Sequence, residues 1–394
     1  MRDYTIAPTP HGATLNGYRH AWQNSPWRER LQARKSSRLS PMLSRPIAVA
    51  GALLSLGAAT LACAQRAAAI DSMPAIWWTD TFAYNANAVR GRDANHLLMP
   101  LQIRRAGRFE IRMAESLDDG RQWALGALVA RQERQDLFDP AMARAPDSSL
   151  LVAFEDVDSL ALYRSVDEGR SWTNWHVFHT HGTAEVYWQD LPGRLAMIFA
   201  KLAPNQTTTY WVRTTPDAVH WSDPVWVGDG GTIADGFRAG LGPSEGRVVH
   251  AVISYRETPT DPVQVRVVSL DAATLHPTAP PVTVARVAPV FKGISVFPVP
   301  ASCPDGLHIY YSTWVSGPPV GIYEIVIDSL AMTAGRAQSP RAVIQRRNML
   351  TGFGRVWFVR TWDNVPRLVY AENLDQTHTR IVSLPVSDIS HCTF

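Results

Sequence analysis

The sequence predicts an all-β fold: a six-bladed β-propeller with four antiparallel strands per blade and a ring closed by an N-terminal strand. Three observations predict it. Ser116-Leu117-Asp118-Asp119-Gly120-Arg121-Gln122-Trp123 and Ser165-Val166-Asp167-Glu168-Gly169-Arg170-Ser171-Trp172 share the pattern Ser-x-Asp-x-Gly-x-x-Trp and stand 49 residues apart. A shorter copy, Thr215-Pro216-Asp217-Ala218-Val219-His220-Trp221, lacks the Gly, yet its Trp falls 49 residues after Trp172. The last unit of the series is one strand short, and Ala75-Ile76-Trp77-Trp78-Thr79 stands as a spare strand ahead of the first. A fixed step marks a repeat, and lending the spare strand to the last unit removes the open sheet edges of a ring.

Each motif reads as a turn between two strands. Gly120 and Gly169 supply positive φ, Asp118, Asp167 and Asp217 accept hydrogen bonds from turn N–H groups, and Trp123, Trp172 and Trp221 pack as the next strand begins. With the turns as a ruler, the chain divides into six units of about 55 residues, each with four strand-like runs. The innermost strands read as YNANAVRG, DPAMARAP, AEVYWQDL, GFRAGLG, ISVFPVP and GRVWFVRTW. Later turn motifs decay: Ser269-Leu270-Asp271 with Leu275 keeps the Ser and Asp, Asp328 stands alone, and the last unit has only Ser383. No helical pattern or linker interrupts residues 75–394, which read as one domain.

These turns resemble the Asp-box of the sialidase superfamily, where the box joins the third and fourth strands of a blade. The resemblance covers nearly the whole chain after residue 74 through its repeats and says nothing by itself about activity. It implies two faces. The box turns lie on one, here called the turn face; the approaches to the innermost strands and the loops between second and third strands lie on the other, the mouth face.

On the mouth face the approaches contribute Tyr84, Asn85 and Asn87, then Asp136 and Asp139, then His179, His181, Glu185 and Tyr187. Later units add Asp235 and Arg238, Lys292, and Arg346, Arg347 and Arg355. The second-to-third-strand loops contribute Arg104 and Arg105, then Glu155, Asp156 and Asp158, then Lys201, then Tyr255, Arg256 and Glu257, and finally Glu372, Asn373 and Asp375. Carboxylates, arginines and aromatic rings around one opening suit an anionic sugar. Candidate catalytic residues are Glu155 or Asp156 with Glu185, as paired carboxylates, and Tyr187; candidate substrate-binding residues are Tyr84, Arg238, Arg256 and Arg355. The plainer readings are a solvated acidic loop for Glu155 and Asp156, an interblade ion pair for Arg238 and Arg355, and blade packing for Tyr187 and Trp188. The sialidase pattern of an Arg-Ile-Pro motif on the first innermost strand is missing, because that stretch reads Tyr84-Asn85-Ala86-Asn87-Ala88-Val89. The first blade's Asp is missing as well, since residues 103–108 read IRRAGR. Two expectations therefore stand: a glycan-acting propeller in the form of an exo-acting glycoside hydrolase, and a catalytically inert propeller that binds a glycan or protein.

With 394 residues and 46% hydrophobic content the chain can bury a sizeable core. A net charge of +3, only three lysines (Lys35, Lys201, Lys292) and no basic stripe exclude a nucleic-acid footprint. Residues 42–64, MLSRPIAVAGALLSLGAATLACA, read as a secretory signal, with a single-span anchor as the competing reading; residues 1–41 are a polar extension, read either as a long start region or as an untranslated stretch before a start at Met42. The expected product is a periplasmic or secreted monomer that partners a glycan, without membrane contact after signal cleavage. Cys303 and Cys392 then remain, either bridged or as two free buried thiols. His179-Thr180-His181 near Glu185 has metal-ligand character, but an exposed loop is favoured and no metal or cofactor is expected. No nucleophile elbow, phosphate loop or dinucleotide fingerprint is present.

Overall fold

The computed structural model describes residues 75–78, 83–84, 87–105, 108–132, 137–156, 159–180, 186–203, 207–232, 239–258, 260–287, 295–314, 320–328, 340–346, 353–362, 365–373, 379–385 and 392. The extension and the signal segment lie outside them. All described residues belong to the compact unit Ala62–Phe394. Among them no helix is long and apolar enough to cross a membrane.

Six antiparallel sheets form the predicted ring. β1 (Ala75–Trp78) stands first. Blade one holds β2 (Ala83–Tyr84), β3 (Val89–Arg90), β4 (Leu97–Arg105), β5 (Arg108–Ser116) and β6 (Ala124–Ala130). Blade two is β7 (Phe138–Arg144), β8 (Leu150–Asp156), β9 (Ser159–Ser165) and β10 (Thr173–His179). Blade three is β11 (Val186–Leu191), β12 (Arg194–Leu202), β13 (Thr208–Thr215) and β14 (Val225–Gly231). Blade four is β15 (Ala239–Glu245), β16 (Val248–Tyr255), β17 (Val263–Asp271) and β18 (Val282–Val287). Blade five is β19 (Ser295–Cys303), β20 (Gly306–Trp314), β21 (Val320–Ile327) and β22 (Arg341–Arg346). Blade six is β23 (Phe353–Arg360), β24 (Pro366–Asn373) and β25 (Thr379–Pro385), completed by β1, whose Ala75 lies opposite Val382.

One predicted element differs. The innermost strand of blade one, expected as a run from Tyr84 to Gly91, is two short pieces that both pair with β4. Asn87 lies between them, fully buried, and its side-chain oxygen accepts the N–H of Met142 in blade two. That interblade bond spends the side chain on a neighbour's backbone and satisfies a buried donor there.

The repeat turns show why Ser and Asp recur. Ser116 Oγ donates to Asp118 Oδ1 (2.8 Å) and accepts the N–H of Gly120 (2.8 Å), while Asp118 Oδ1 accepts the N–H groups of Arg121 (3.0 Å) and Gln122 (2.7 Å). Ser165, Asp167, Gly169 and Ser171 repeat the arrangement, and the indole of Trp172, like that of Trp123, donates to the glycine carbonyl. The hydroxyl and the N–H of Ser171 hold the Asp167 carboxyl at about pKa 2. Both full turns need two left-handed residues, Asp119 with Gly120 and Glu168 with Gly169. The shorter third turn needs one, Ala218 at φ 62°, so its missing glycine is explained. Asp217 there accepts the N–H groups of Val219 (2.9 Å) and His220 (2.8 Å).

Alternation along each strand sends side chains to the two neighbouring blades in turn. Leu98, Ile111 and Met113 of blade one meet Met142, Val152 and Phe154 of blade two. Ala153 and Leu160 of blade two meet Trp188, Met197 and Phe199 of blade three. Val252 and Val265 pack with Ile309 and Ile325 between blades four and five, and Leu101 and Ile103 with Val369 and Ala371 between blades one and six. Each buried Leu, Ile, Val or Phe contributes roughly 1.5–3 kcal/mol.

A second set of links runs along the turn face, at the last residue of successive innermost strands. Arg144 of blade two donates through Nη2 to the carbonyl of Arg90 in blade one (2.7 Å). Arg90 in turn donates to the carbonyls of Arg360 and Thr361 in blade six, and Arg360 donates to the carbonyl of Cys392 (2.5 Å). Cys392 is disulfide-bonded to Cys303, the last residue of the innermost strand of blade five. One continuous chain of contacts thus ties blades two, one, six and five. Blades three and four end their innermost strands in Leu191 and Glu245 and take no part in it.

Candidate functional site

The mouth face is built from the start of each innermost strand and the turn between second and third strands. Glu185 and Arg238, with Asn85, Asp136, Asp158, His181, Asp235, Lys292, Arg347 and Asp375, lie outside the described residues. Tyr84 and Arg355 are placed by backbone only, in β2 opposite Gln102 and in β23 at an irregularity between Phe353 and Val356.

Glu155 and Asp156 end β8, and their alternation separates them. Glu155 follows Ala153 and Leu160 on the side that packs against blade three, and it is buried, 8% exposed. Asp156 follows Phe154 on the side of blade one, where its Oδ2 accepts Gln132 Nε2 at 2.7 Å. Burial, then the charge of Asp156, raises the pKa of Tyr163 on that same side. The two carboxylates therefore serve different interblade slots.

Opposite Glu155, the facing wall of blade three carries Phe199, Lys201 and Trp211. Lys201 Nζ sits 4.5 Å from the Trp211 ring centroid and 5.8 Å from that of Phe199, and the Trp211 indole donates to Thr209 Oγ1 at 2.9 Å. Burial, then the nearby Arg213 charge, lowers the Lys201 pKa. Lys201 is thus a cation over aromatic rings on the blade that Glu155 faces.

Tyr187 is buried on the innermost strand of blade three, its ring 4.3 Å from that of Trp357 on the innermost strand of blade six. These two rings meet from opposite sides of the ring of blades and fill its axis. Trp188 points the other way, donating to the Ala141 carbonyl at 3.0 Å.

Arg256 is buried, 3% exposed, and its backbone is sewn to the end of blade three: its N–H donates to the Gly230 carbonyl (3.0 Å) and its carbonyl accepts the N–H of Thr232 (2.8 Å). Asp229-Gly230-Gly231 exists for this crossing. Gly231 has φ +68°, and a Cβ there would stand 2.0 Å from the Arg256 carbonyl oxygen. Gly231→Ala is therefore expected to lower the unfolding free energy by about 2 kcal/mol or more, read as an earlier midpoint in chemical denaturation. Next to it, the Arg266 guanidinium lies 3.4 Å from the Tyr255 ring centroid, held by Gln264 Oε1.

Asp139 carries a signal that sequence reasoning placed on the rim without weighting. It has φ 54°, its N–H donates to Gln102 Oε1 of blade one (3.1 Å), and it occupies a bulge of β7 one residue past Phe138, the cross-strand partner of Glu155. Non-glycine residues held in the left-handed region cost roughly 1 kcal/mol or more and gather at functional sites. The Asp139-Pro140 pair was the available clue, since the residue before a proline is restricted.

Among the described residues one cluster has metal-ligand character, Cys303, Asp305 and His308, and the disulfide removes the Cys303 thiolate from it. His179 is exposed.

No protein-family model matches the chain, and no curated protein matches it. Its fold resembles that of an α-L-arabinofuranosidase, Arb93A of Fusarium graminearum, at 14% identity over 80% of this chain and 98% of that one, with a TM-score of 0.57. An α-L-arabinanase of Penicillium chrysogenum is similar at 14% identity, 79% and 98% coverage and a TM-score of 0.51. The Aleuria aurantia lectin, in complex with Fucα1-6GlcNAc, is similar at 9% identity, 78% and 98% coverage and a TM-score of 0.50. At these identities the likeness is one of fold.

Proposed function

We propose that the protein is an exported, glycan-acting propeller and that it cleaves a glycan end at the rim of the mouth face, between blades two and three. The observation that carries this reading is Glu155: a carboxyl withdrawn from water at the end of a strand, on the side of β8 that packs against blade three. Such a carboxyl suits protonation of a glycosidic oxygen, with a second carboxylate, Asp139 or Glu185, as base or nucleophile. The hydrolases of like fold support a glycoside as substrate. The turn hydrogen bonds support a place in the sialidase superfamily, while the missing Arg-Ile-Pro speaks against sialic acid hydrolysis. The disulfide supports an oxidising compartment, hence export.

A second reading, a glycan-binding propeller without turnover, is favoured by the filled axis and by the diversion of Asp156 to Gln132. Purified protein assayed on a panel of fluorogenic glycosides separates the two. Glu155→Gln is expected to lower kcat at least about 100-fold with little change in KM. Turnover that survives Glu155→Gln, Asp139→Asn and Glu185→Gln together sinks the catalytic assignment. Saturable glycan binding without turnover selects the second reading.

A further inference from the structure

The chain of links along the turn face stops short of blades three and four, and a groove lies between those two. Blades two, one, six and five are tied through Arg144, Arg90, Arg360 and the Cys303–Cys392 bridge. Between blades three and four, which the Arg194 guanidinium joins to the Ala272 carbonyl outside that chain, lies a groove of about 430 Å³ lined by Leu191, Pro192, Arg194, Ser244, Arg247 and Asp271.

Its two arginines come from different blades. Arg194, the first residue of β12, donates through Nη2 to the carbonyl of Ala272 across the gap, leaving the other guanidinium N–H groups without a hydrogen bond among the described residues. Arg247 lies in the turn between β15 and β16. Its carbonyl accepts the Ala272 N–H (2.8 Å), while its exposed guanidinium makes no hydrogen bond among the described residues. The carboxylate in the groove is held by its own turn, Asp271 Oδ1 accepting the N–H groups of Ala273 (3.0 Å) and Thr274 (2.9 Å) and the Thr274 hydroxyl (3.0 Å), and these bonds, then the Arg247 charge, lower its pKa. Two guanidiniums with open donors, one anchored and one loose, thus border a cavity with Leu191 and Pro192 as an apolar wall.

We propose that this groove binds a small oxyanion-bearing ligand, a carboxylate or a phosphate monoester, between Arg194 and Arg247. Guanidinium forks match both groups, and their charge-assisted hydrogen bonds are about twice as strong as neutral ones. The volume falls within the range of small-ligand pockets, roughly 300–1,000 Å³. A bound oxyanion would add a second tie between blade three and blade four beside the Arg194-to-Ala272 contact. The site lies on the face opposite the one proposed for glycan cleavage and stands independently of it.

The full chain, titrated with inorganic phosphate and separately with malonate at constant ionic strength, is expected to show a saturable rise in its thermal midpoint that chloride does not reproduce. Arg247→Ala is expected to leave the midpoint in chloride nearly unchanged, because that guanidinium makes no hydrogen bond among the described residues and acts on Asp271 through its charge alone, and to weaken anion binding at least about tenfold by calorimetry. Arg247→Lys keeps the charge without the fork and is expected to fall between. Stronger binding of phosphate points to a phosphate monoester, and stronger binding of malonate to a carboxylate. An equal response to chloride, or an undiminished response in Arg247→Ala, overturns the proposal.

Discussion

Cys392→Ser is expected to lower the unfolding free energy by about 2–5 kcal/mol, with the same loss in Cys303→Ser and no further loss in the double variant. The bridge closes a span of 89 residues, and constraining a loop of that length in the unfolded chain contributes roughly 4–5 kcal/mol on chain-entropy grounds. Its position adds to this. Cys392 is buried, 1% exposed, and its carbonyl receives the Arg360 guanidinium at 2.5 Å, so releasing the tail also frees an arginine of the turn-face chain. The check is equilibrium denaturation with and without reductant: wild type in reductant should coincide with Cys392→Ser. If reduction leaves the midpoint where it was, the bridge contributes nothing to stability.

Glu324→Gln is expected to cost about 3 kcal/mol and to remove a pH dependence that the wild type shows. Glu324 is 1% exposed on β21 and gathers three partners from the strands on either side: His308 Nδ1 at 2.9 Å, the Tyr310 hydroxyl at 2.5 Å and Arg341 Nε at 2.8 Å. Losing one member of a buried ion pair typically costs about 3–5 kcal/mol. The lower end applies here because the Arg341 side chain, 60% exposed, stays hydrated when its partner goes. Burial opposes the Glu324 charge, but the hydrogen bonds from His308, Tyr310 and Arg341 outweigh it and bring the pKa from 4.5 down to about 2. That contribution is fully present above pH 4.5 and is lost as pH falls toward 2. For His308 burial also opposes the charge, and the bonds to Glu324 and Asp305 overcome it, raising the pKa above 6.5. Its contribution is fully present below pH 6.5 and is lost as pH rises through the raised value. The network is therefore strongest between pH 4.5 and 6.5. Denaturation midpoints across pH should fall away on both sides in the wild type and flatten in Glu324→Gln. A pH profile identical in the two proteins would show that the cluster is not the cause.

Periodic features were legible before the structure. The 49-residue step of the Trp positions marks the repeat, the spare strand at Ala75 marks the closure, and both follow from covalent spacing alone. What spacing cannot carry is a contact whose acceptor is backbone in another blade. Arg90, Arg144 and Arg360 read as ordinary strand ends, because their partners are carbonyl oxygens with no residue signature. The Glu324 cluster was equally hidden: its members come from three strands, His308 and Tyr310 at one alternation and Arg341 beyond a long connection. At the mouth, sequence brought Glu155 and Asp156 forward together, and only the strand bounds show that they part company. Glu185 and Arg238, which sequence assigns to the approaches to blades three and four, lie outside the described residues.

The pairing of β1 with β25 sets an order of events. The strand that completes blade six begins at residue 75 and its partner at residue 379, so the first segment of the domain to be made waits for the last. Five blades can form from hairpins of neighbouring residues as they emerge, each with short loops to close. The sixth needs a closure across nearly the whole domain, which is slow because loop entropy precedes the gain in contacts. Until then both flanks of the open ring expose unpaired blade surfaces, and the disulfide to blade five, formed by the final residues, locks the arrangement only once that wait is over.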